Sequence, residues 1–174
     1  MHIETVTDKS QIKSIESLAY EIWHEHYTPI IGKAQVDYML KKFQSVKAIK
    51  EQIADGFLYF LCEHNNSPVG YMSVNMRREE LFLSKIYVAS ADRRKGYGRE
   101  MVAFIEELAR KKALNKISLT VNRYNTNSIT MYEKVGFSIC GRVIQDIGNG
   151  FVMDDYKMEK KDLVYDSYQK ASIK

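Results

Sequence analysis

The chain reads Leu83-Ser84-Lys85-Ile86-Tyr87-Val88 and, after a polar loop, Arg93-Arg94-Lys95-Gly96-Tyr97-Gly98. The first run predicts a β-strand, and the second predicts a tight loop that enters a helix. Amide N–H groups in the first turn of a helix lack partners within it, and the helix dipole favours negative charge there. Because Gly96 and Gly98 carry no Cβ, the backbone can approach phosphate oxygens closely. The junction therefore predicts a diphosphate site.

Three cations directly precede the first of these glycines and add positive charge beside the free amides: Arg93, Arg94 and Lys95. The motif Arg-x-x-Gly-x-Gly is weak by itself, and a plain glycine-rich turn is the alternative interpretation. A dinucleotide fingerprint would need a further glycine where Met101 stands, and a P-loop would need Gly-Lys followed by Ser or Thr. Neither pattern is present, so the loop binds the phosphates of another ligand or binds none.

The composition is that of one globular domain. The chain has 174 residues, 45% of them hydrophobic and 28% charged, with 9 Gly and 2 Pro, which argues against disorder and fibrous repeats. We expect a single domain over residues 1–174 with a polar tail from about residue 161. The longest apolar run, residues 57–62, is too short to cross a membrane, and the first residues do not resemble a signal peptide. These features favour a cytoplasmic protein without a membrane partner.

The charge and the cysteines exclude two further classes of function. A net charge of +4 suits an anionic cofactor without requiring nucleic acid. The basic clusters at residues 93–95 and 110–112 lack the interleaved aromatic residues of a nucleic-acid surface. Cys62 and Cys140 lie in separate apolar runs without metal-ligand spacing, so two buried thiols and no metal site are expected.

Hydrophobic periodicity predicts a mixed α/β protein. The amino-terminal third reads as a strand over residues 2–6, a helix after Asp8, a short helix over 33–42 and a helix capped by Ser45 and ended by Gly56. The remainder reads as strands 57–63, 69–77 and 81–88, a helix 98–112, a strand 116–121, a helix 127–135 and a strand from Phe137. Asn149-Gly150 predicts a type I′ hairpin that pairs about residues 139–147 with 151–158. The strand-helix-strand step predicts a parallel crossover.

A second motif follows one strand after the first: Asn125-Thr126-Asn127-Ser128-Ile129-Thr130-Met131-Tyr132-Glu133-Lys134-Val135-Gly136-Phe137. Together the two motifs resemble those of the GNAT superfamily of N-acetyltransferases, Gln/Arg-x-x-Gly-x-Gly/Ala and then Asn-x-x-Ala/Ser-x-x-x-Tyr-x-x-x-Gly-Phe. The order of strands and helices across residues 2–160 agrees as well. The resemblance implies a GNAT-like fold with a splayed mixed sheet of about six to seven strands flanked by helices. It also implies acetyl-CoA as cofactor.

The resemblance assigns roles to particular residues. The pyrophosphate of CoA would be held by the backbone around Arg94, Lys95, Gly96, Tyr97, Gly98 and Arg99. The free edge of Ile86, Tyr87 and Val88 would pair with the pantetheine arm, and Asn125 and Ser128 would contact the cofactor. Tyr132 would donate a proton to the departing thiolate as general acid. The alternative for Tyr132 is a structural role, because it is one of 12 tyrosines and lies on an amphipathic helix.

The general base is not evident from the sequence. Many relatives place a glutamate in the strand before the pyrophosphate loop, whereas this chain has Ser84 and Lys85 there. The acceptor amine must lose its proton to bulk water or to another group. The candidates left open are Glu79, Glu80, His24 and His26.

The resemblance also implies that the acceptor contacts the first helices and the carboxy-terminal hairpin, which makes Trp23, His26, Tyr27, Asp154 and Asp155 the candidates. Aromatic and acidic side chains suit a cationic amine. We therefore expect a small-molecule primary amine such as a polyamine, although the aromatic residues could be core and the aspartates a solvated face. The alternatives are a non-catalytic acyl-CoA-binding sensor or scaffold, and a protein N-terminal or lysine acetyltransferase. An open hairpin edge near Phe151 would permit a homodimer.

Overall fold

The computed structural model describes residues 1–163. It contains one seven-stranded mixed sheet of order β1-β2-β3-β4-β5-β7-β6. The strands are β1 His2–Thr5, β2 Phe57–His64, β3 Ser67–Met76, β4 Leu81–Val88, β5 Ile117–Asn122, β6 Ser138–Gly148 and β7 Phe151–Lys160. The helices are α1 Lys9–His26, α2 Thr28–Ile31, α3 Lys33–Met39, the π-helix Leu40–Gln44, α4 Val46–Ala54, α5 Tyr97–Lys111 and α6 Thr126–Lys134, with a short 3₁₀ turn at Ser90–Asp92. The predicted GNAT-like fold is confirmed.

Helices cover both faces of the sheet, and the two longest, α1 and α5, each bury an apolar stripe against it. In α1 that stripe is Ile12, Ile15, Leu18, Ala19, Ile22 and Trp23, all buried. The Asp8 side chain accepts hydrogen bonds from the backbone of Ser10 and Gln11, and the Asp8 backbone N–H donates to Oε1 of Gln11. This capping box fixes where the helix begins. On the opposite face α5 buries Met101, Val102, Ile105 and Ala109. Each buried aliphatic side chain stabilises the fold by roughly 1.5–3 kcal/mol.

The sheet parts in its middle. β4 and β5 are the parallel pair, and they are joined only where Leu81–Leu83 meets Ile117–Leu119. Beyond that point β4 stays beside β3 up to Val88, while β5 stays beside β7 up to Asn122. The predicted splay is therefore present, and the edge of β4 that faces β5 is unpaired over residues 84–88.

A β-bulge changes which side of the sheet the second half of β4 faces. Ser73 pairs with Lys85 and Val74 pairs with Leu83, so Ser84 is an extra residue opposite β3. Leu83 belongs to the core under α5, whereas Tyr87 belongs to the core under α1. A bulge re-aims side chains in this way, and the regular alternation of the sequence does not reveal it.

Three local predictions need correction. Cys62 is buried, but Cys140 is exposed; the prediction of a buried thiol is wrong there because β6 is the last strand of the sheet and is largely open to solvent. The predicted helix over residues 33–42 changes to a π-helix after Met39. Of the predicted polar tail, only residues 161–163 lie in the described part of the chain, and Leu163 there is buried. No helix among residues 1–163 is both long and apolar enough to span a bilayer.

Candidate active site

The amino terminus of α5 presents free amides to open space. Gly96 is its N-cap in a left-handed conformation, with φ of 92° and no capping side chain. Within the described chain, the backbone N–H groups of residues 95–98 have no hydrogen-bond acceptor. A Cβ placed on Gly96 or Gly98 would meet no atom within 4 Å. The predicted diphosphate junction therefore has the donors and the room that an anion needs.

The predicted cations differ in what they contact. The Arg93 guanidinium lies 2.7 Å from a carboxylate oxygen of Glu25 and donates to the carbonyl of Val88, so it ties α1 to the end of β4. Lys95 forms an ion pair with Asp92 at 2.7 Å. Arg94 and Arg99 are exposed, and neither forms an ion pair with a residue in the range 1–163. These two guanidiniums are available to a phosphate.

One cavity of about 1330 Å³ runs from this loop through the splay to α1, the π-helix and the β6–β7 hairpin. The predicted cofactor residues that line it are Ile86, Tyr87, Val88, Arg93, Arg94, Gly96, Tyr97, Gly98, Arg99, Asn125 and Ser128. Tyr132 lines it too, as do the predicted acceptor-side residues Trp23, His26, Tyr27 and Asp155. Lys95 and Asp154 lie outside the lining. The structure thus brings nearly all of the predicted site residues to one space.

Tyr132 sits on α6 with 7% of its surface exposed. Its ring packs against Phe137 at 5.7 Å between centroids. Burial, with a smaller contribution from Tyr27, raises the pKa of Tyr132 well above its ordinary value. The phenol therefore keeps its proton at physiological pH.

Asn125 links α6 to α1. Its Oδ1 accepts a hydrogen bond from the backbone N–H of Ser128 and so caps α6, and its Nδ2 donates to the Tyr27 hydroxyl at 3.3 Å. Both polar ends of Asn125 are engaged within the protein, which leaves one N–H of its amide for a ligand.

Aromatic rings form the wall of the acceptor side. Trp23 packs against Tyr27 at 4.6 Å and against Tyr87 at 5.8 Å between ring centroids. Tyr87 in turn packs against Tyr71 at 5.2 Å. These rings are partly core, as the alternative interpretation held, yet Trp23, Tyr27 and Tyr87 also face the cavity.

The two predicted aspartates of the hairpin lie in different environments, because successive residues of a strand face opposite sides. Asp154 binds Arg142 at 2.7 Å and Arg123 at 2.9 Å. Asp155 is 5% exposed and lines the cavity. Burial, together with the negative charge of Asp154, raises the pKa of Asp155 to about 6.

Lys85 occupies the strand position where the sequence lacked a glutamate. The bulge turns it toward α4, where its Nζ lies 2.6 Å from Oε1 of Gln52 and 5.4 Å from the centre of the Tyr59 ring. Burial lowers the pKa of Lys85 to about 8. Sequence reasoning missed Gln52, because a glutamine on the polar side of a helix carries no local signal of function.

The four base candidates named from the sequence differ in whether they line the cavity. Glu80 forms an ion pair with Lys116 at 2.9 Å, and neither it nor Glu79 reaches the cavity. The His24 ring lies 3.2 Å from a carboxylate oxygen of Asp37 and is also outside the lining. Among these candidates His26 alone faces the cavity.

Residues 16–137 match the sequence profile of the acetyltransferase (GNAT) family. The chain belongs to this family. The match spans most of the chain and includes both motifs, the second half of α1 and the strands β4 and β5 that form the splay. A search of curated protein sequences finds no match to this GNAT chain.

Solved structures agree with the family assignment. The PaiA N-acetyltransferase of Thermoplasma acidophilum, in complex with coenzyme A, shares 20% identity with a TM-score of 0.77, over 92% of this chain and 99% of that one. A GNAT acetyltransferase of Elizabethkingia anophelis with bound acetyl-CoA shares 19% identity with a TM-score of 0.56, over 66% of this chain and 82% of that one. At these identities the likeness concerns the GNAT fold. The ribosomal-protein-alanine N-acetyltransferase of Brucella melitensis shares 26% identity with a TM-score of 0.68, over 92% of this chain and 99% of that one.

Proposed function

We propose that this GNAT protein is an acetyl-CoA-dependent N-acetyltransferase that acts on a primary amine. The observation that carries the proposal is a continuous cavity that joins the free amides of α5, the unpaired edge of β4 and the Tyr132 side chain. An anion site, a strand edge and a proton donor in one space suit an acyl thioester on a long amide-rich arm. The two candidate activities below differ only in the acceptor.

The residues present fit CoA. The N–H groups of residues 95–98 would bind its pyrophosphate, with Arg94 and Arg99 supplying charge. The pantetheine amides would pair with backbone groups on the unpaired edge of β4 along Ile86, Tyr87 and Val88, as a peptide adds to an exposed strand; the Val88 carbonyl there already accepts from Arg93. When bound, acetyl-CoA supplies the thioester carbonyl that the acceptor amine attacks.

Tyr132 would act as the general acid. As the carbon–sulfur bond breaks, the thiolate takes a proton from its hydroxyl. The raised pKa of Tyr132 makes it a weak acid toward a thiol of ordinary pKa near 8.5, so the transfer must accompany bond cleavage. Backbone N–H groups on the free edge of β4 would stabilise the oxyanion.

The acceptor side supports a cationic amine. An ammonium group would find the aromatic faces of Trp23, Tyr27 and Tyr87 and the carboxylate of Asp155 in the same wall of the cavity. This composition favours small cationic amines, polyamines among them, over acidic acceptors. Asp154 is better suited to holding the hairpin through its two arginines than to meeting a substrate.

A peptide amino terminus is the second candidate acceptor. The Brucella melitensis structure, which is named for ribosomal-protein alanine, gives this candidate its support. A terminal α-amine has a pKa near 7.7–8.0 against about 10.4 for a lysine side chain, so it is more easily presented as the neutral nucleophile.

The test measures thiol release from acetyl-CoA with a panel of spermidine, an N-blocked lysine and a hexapeptide that begins with alanine. Mass spectrometry identifies the acceptor that gains one acetyl group. Titration with CoA and with acetyl-CoA comes first as a separate measurement. Binding without turnover on any amine would favour the acyl-CoA sensor, and absence of binding would overturn the proposal.

A further inference from the structure

We propose that Asp155 is the general base that deprotonates the acceptor ammonium. This inference rests on the proposed function and assigns the one role that the sequence left open. Its basis is the position of a buried carboxylate on the acceptor wall of the cavity, opposite Asn122 where β5 and β7 end their pairing beside the splay.

Elimination leaves few other bases in the described chain. The acidic and histidine side chains that line the cavity are His26, Glu51, Asp55, Asp92 and Asp155. Asp92 is paired with Lys95. Glu51 and Asp55 are exposed on α4 and just beyond it, where water solvates both carboxylates. His26 and Asp155 remain, and Asp155 is the buried one.

The usual strand position cannot supply the base while Lys85 is protonated. Its ammonium meets a neutral amide oxygen of Gln52 and no carboxylate within the range 1–163. A positive charge there disfavours a second ammonium nearby, and so lowers the pKa of an acceptor amine that enters. The proton that the amine loses must move toward a negative group, and Asp155 lies beyond the splay on β7, paired with Asn122 of β5.

Tyr27 is near both the proposed acid and the proposed base. Burial, and to a smaller extent the negative charge of Asp155, raises the pKa of Tyr27, and Tyr27 in turn contributes to the raised pKa of Tyr132. The Tyr27 oxygen accepts a hydrogen bond from the Asn125 amide at 3.3 Å, so its own proton can point at the carboxylate or at the substrate. Tyr27 is thus a positioning residue.

The neighbours of Asp155 keep its carboxylate basic. The charged and titratable groups that act on it are Asp154 on its own strand and Tyr27 from α1, while the Thr120 side chain of β5 partly offsets the raised pKa of Asp155. Arg123 and Arg142, the nearest cations on the sheet, both bind Asp154 instead. Burial raises the pKa of Asp155 to about 6, which leaves it ionised at pH 7.5 and a stronger base than an exposed aspartate.

The proton balance closes without any further reactant. The acceptor ammonium gives one proton to the Asp155 carboxylate, and its nitrogen lone pair forms the carbon–nitrogen bond. The carbon–sulfur bond then breaks, the thiolate takes the proton of Tyr132, and the new amide nitrogen releases its second proton to the Tyr132 phenolate. Asp155 returns its proton to solvent, so one proton is released for each acetyl group transferred.

The test compares two nucleophiles in wild type and in Asp155→Asn. The first is the best amine of the panel above, which enters as a cation; the second is hydroxylamine, which is already largely neutral at pH 7.5. We expect the variant to lose roughly 100-fold or more in kcat with the amine and about 3-fold or less with hydroxylamine. The low-pH limb of the wild-type rate profile, near pH 6, should disappear. The Kd for acetyl-CoA should stay the same.

Asp146→Asn is the matched control, because Asp146 lies outside the cavity and an asparagine there can still accept from the backbone N–H of Gly148. It should leave both rates and the pH profile unchanged. Equal losses with both nucleophiles in Asp155→Asn, or an unchanged rate with the amine, would overturn the inference. Transfer of the low-pH limb to a His26→Gln variant would overturn it too. Failure of wild type to release thiol even with hydroxylamine would instead remove the proposed function.

Discussion

At the scale of single residues, the hydroxyl of Tyr132 is the group whose removal should affect chemistry alone. We predict that Tyr132→Phe lowers kcat by roughly 10²-fold, since a general acid contributes on the order of 10²–10⁴. The ring still packs on Phe137, so the Kd for acetyl-CoA should change little. Tyr124→Phe, at an exposed tyrosine outside the cavity, is the control. A Tyr132→Phe enzyme as fast as wild type would remove this residue from the mechanism.

The ionised Asp155 carboxylate should destabilise the folded state at neutral pH. Its folded pKa of about 6 lies above the ordinary value of 3.8, so the folded state binds this proton more tightly than the unfolded state does. The penalty is therefore absent well below pH 3.8, still small at pH 4 and fully developed above pH 6. Because one pKa unit corresponds to about 1.4 kcal/mol, the penalty at neutral pH is on the order of 1–3 kcal/mol.

The same residue therefore gives a thermal measurement. Asp155→Asn should raise Tm at pH 7.5 relative to wild type and leave it nearly unchanged at pH 4. Thermal melts of both proteins at the two pH values test this. A variant that is less stable at pH 7.5 would show that the carboxylate stabilises the fold.

At the scale of elements, the position of β4 depends on a close contact with β3. A Cβ on Gly70 would lie 2.4 Å from the carbonyl oxygen of Tyr87, so the two strands approach more closely there than any other residue allows. We predict that Gly70→Ala displaces the free edge of β4, lowers Tm and weakens acetyl-CoA binding about 10-fold or more. Calorimetric titration measures the binding.

Gly141→Ala is the matched control in β6, because a Cβ there would lie at an ordinary 4.0 Å from Lys157. It should leave acetyl-CoA binding and Tm close to wild type. If Gly70→Ala bound acetyl-CoA as tightly as Gly141→Ala, the geometry of β4 would not set the affinity.

The elements that the sequence predicts well are those whose signal is local. Asn149 and Gly150 have φ values of 55° and 76°, which are the conformations that an Asn-Gly hairpin requires. The start of α1 after Asp8 and the open α5 terminus are equally local. The bulge at Ser84 and the Lys85–Gln52 contact depend on which strands and helices meet, so no window of sequence contains them. For the same reason the sequence could not separate Asp154 from Asp155.

At the scale of the whole molecule, the last strand of the sheet predicts self-association. β6 has no strand on its outer side among the described residues, and it exposes Ile139, Val143 and Ile144. An open apolar edge of this length invites a second copy. We predict a homodimer that Ile144→Lys converts to monomer, measured by light scattering after gel filtration. Tyr20→Lys, at an exposed aromatic residue on α1, is the control, and a monomeric wild type at high concentration would contradict the prediction.

The seam between β4 and β5 has a consequence for how the molecule holds together. Among the described residues, strands β1–β4 are paired with strands β5–β7 at three residue pairs. A ligand bound in the gap would therefore add hydrogen bonds between the two halves of the sheet. At 100 times its Kd such a ligand stabilises the fold by about 2.7 kcal/mol. Hydrogen–deuterium exchange should then slow together on both sides of the gap, at residues 84–88 and 120–122, because the bound ligand links the two halves of the sheet.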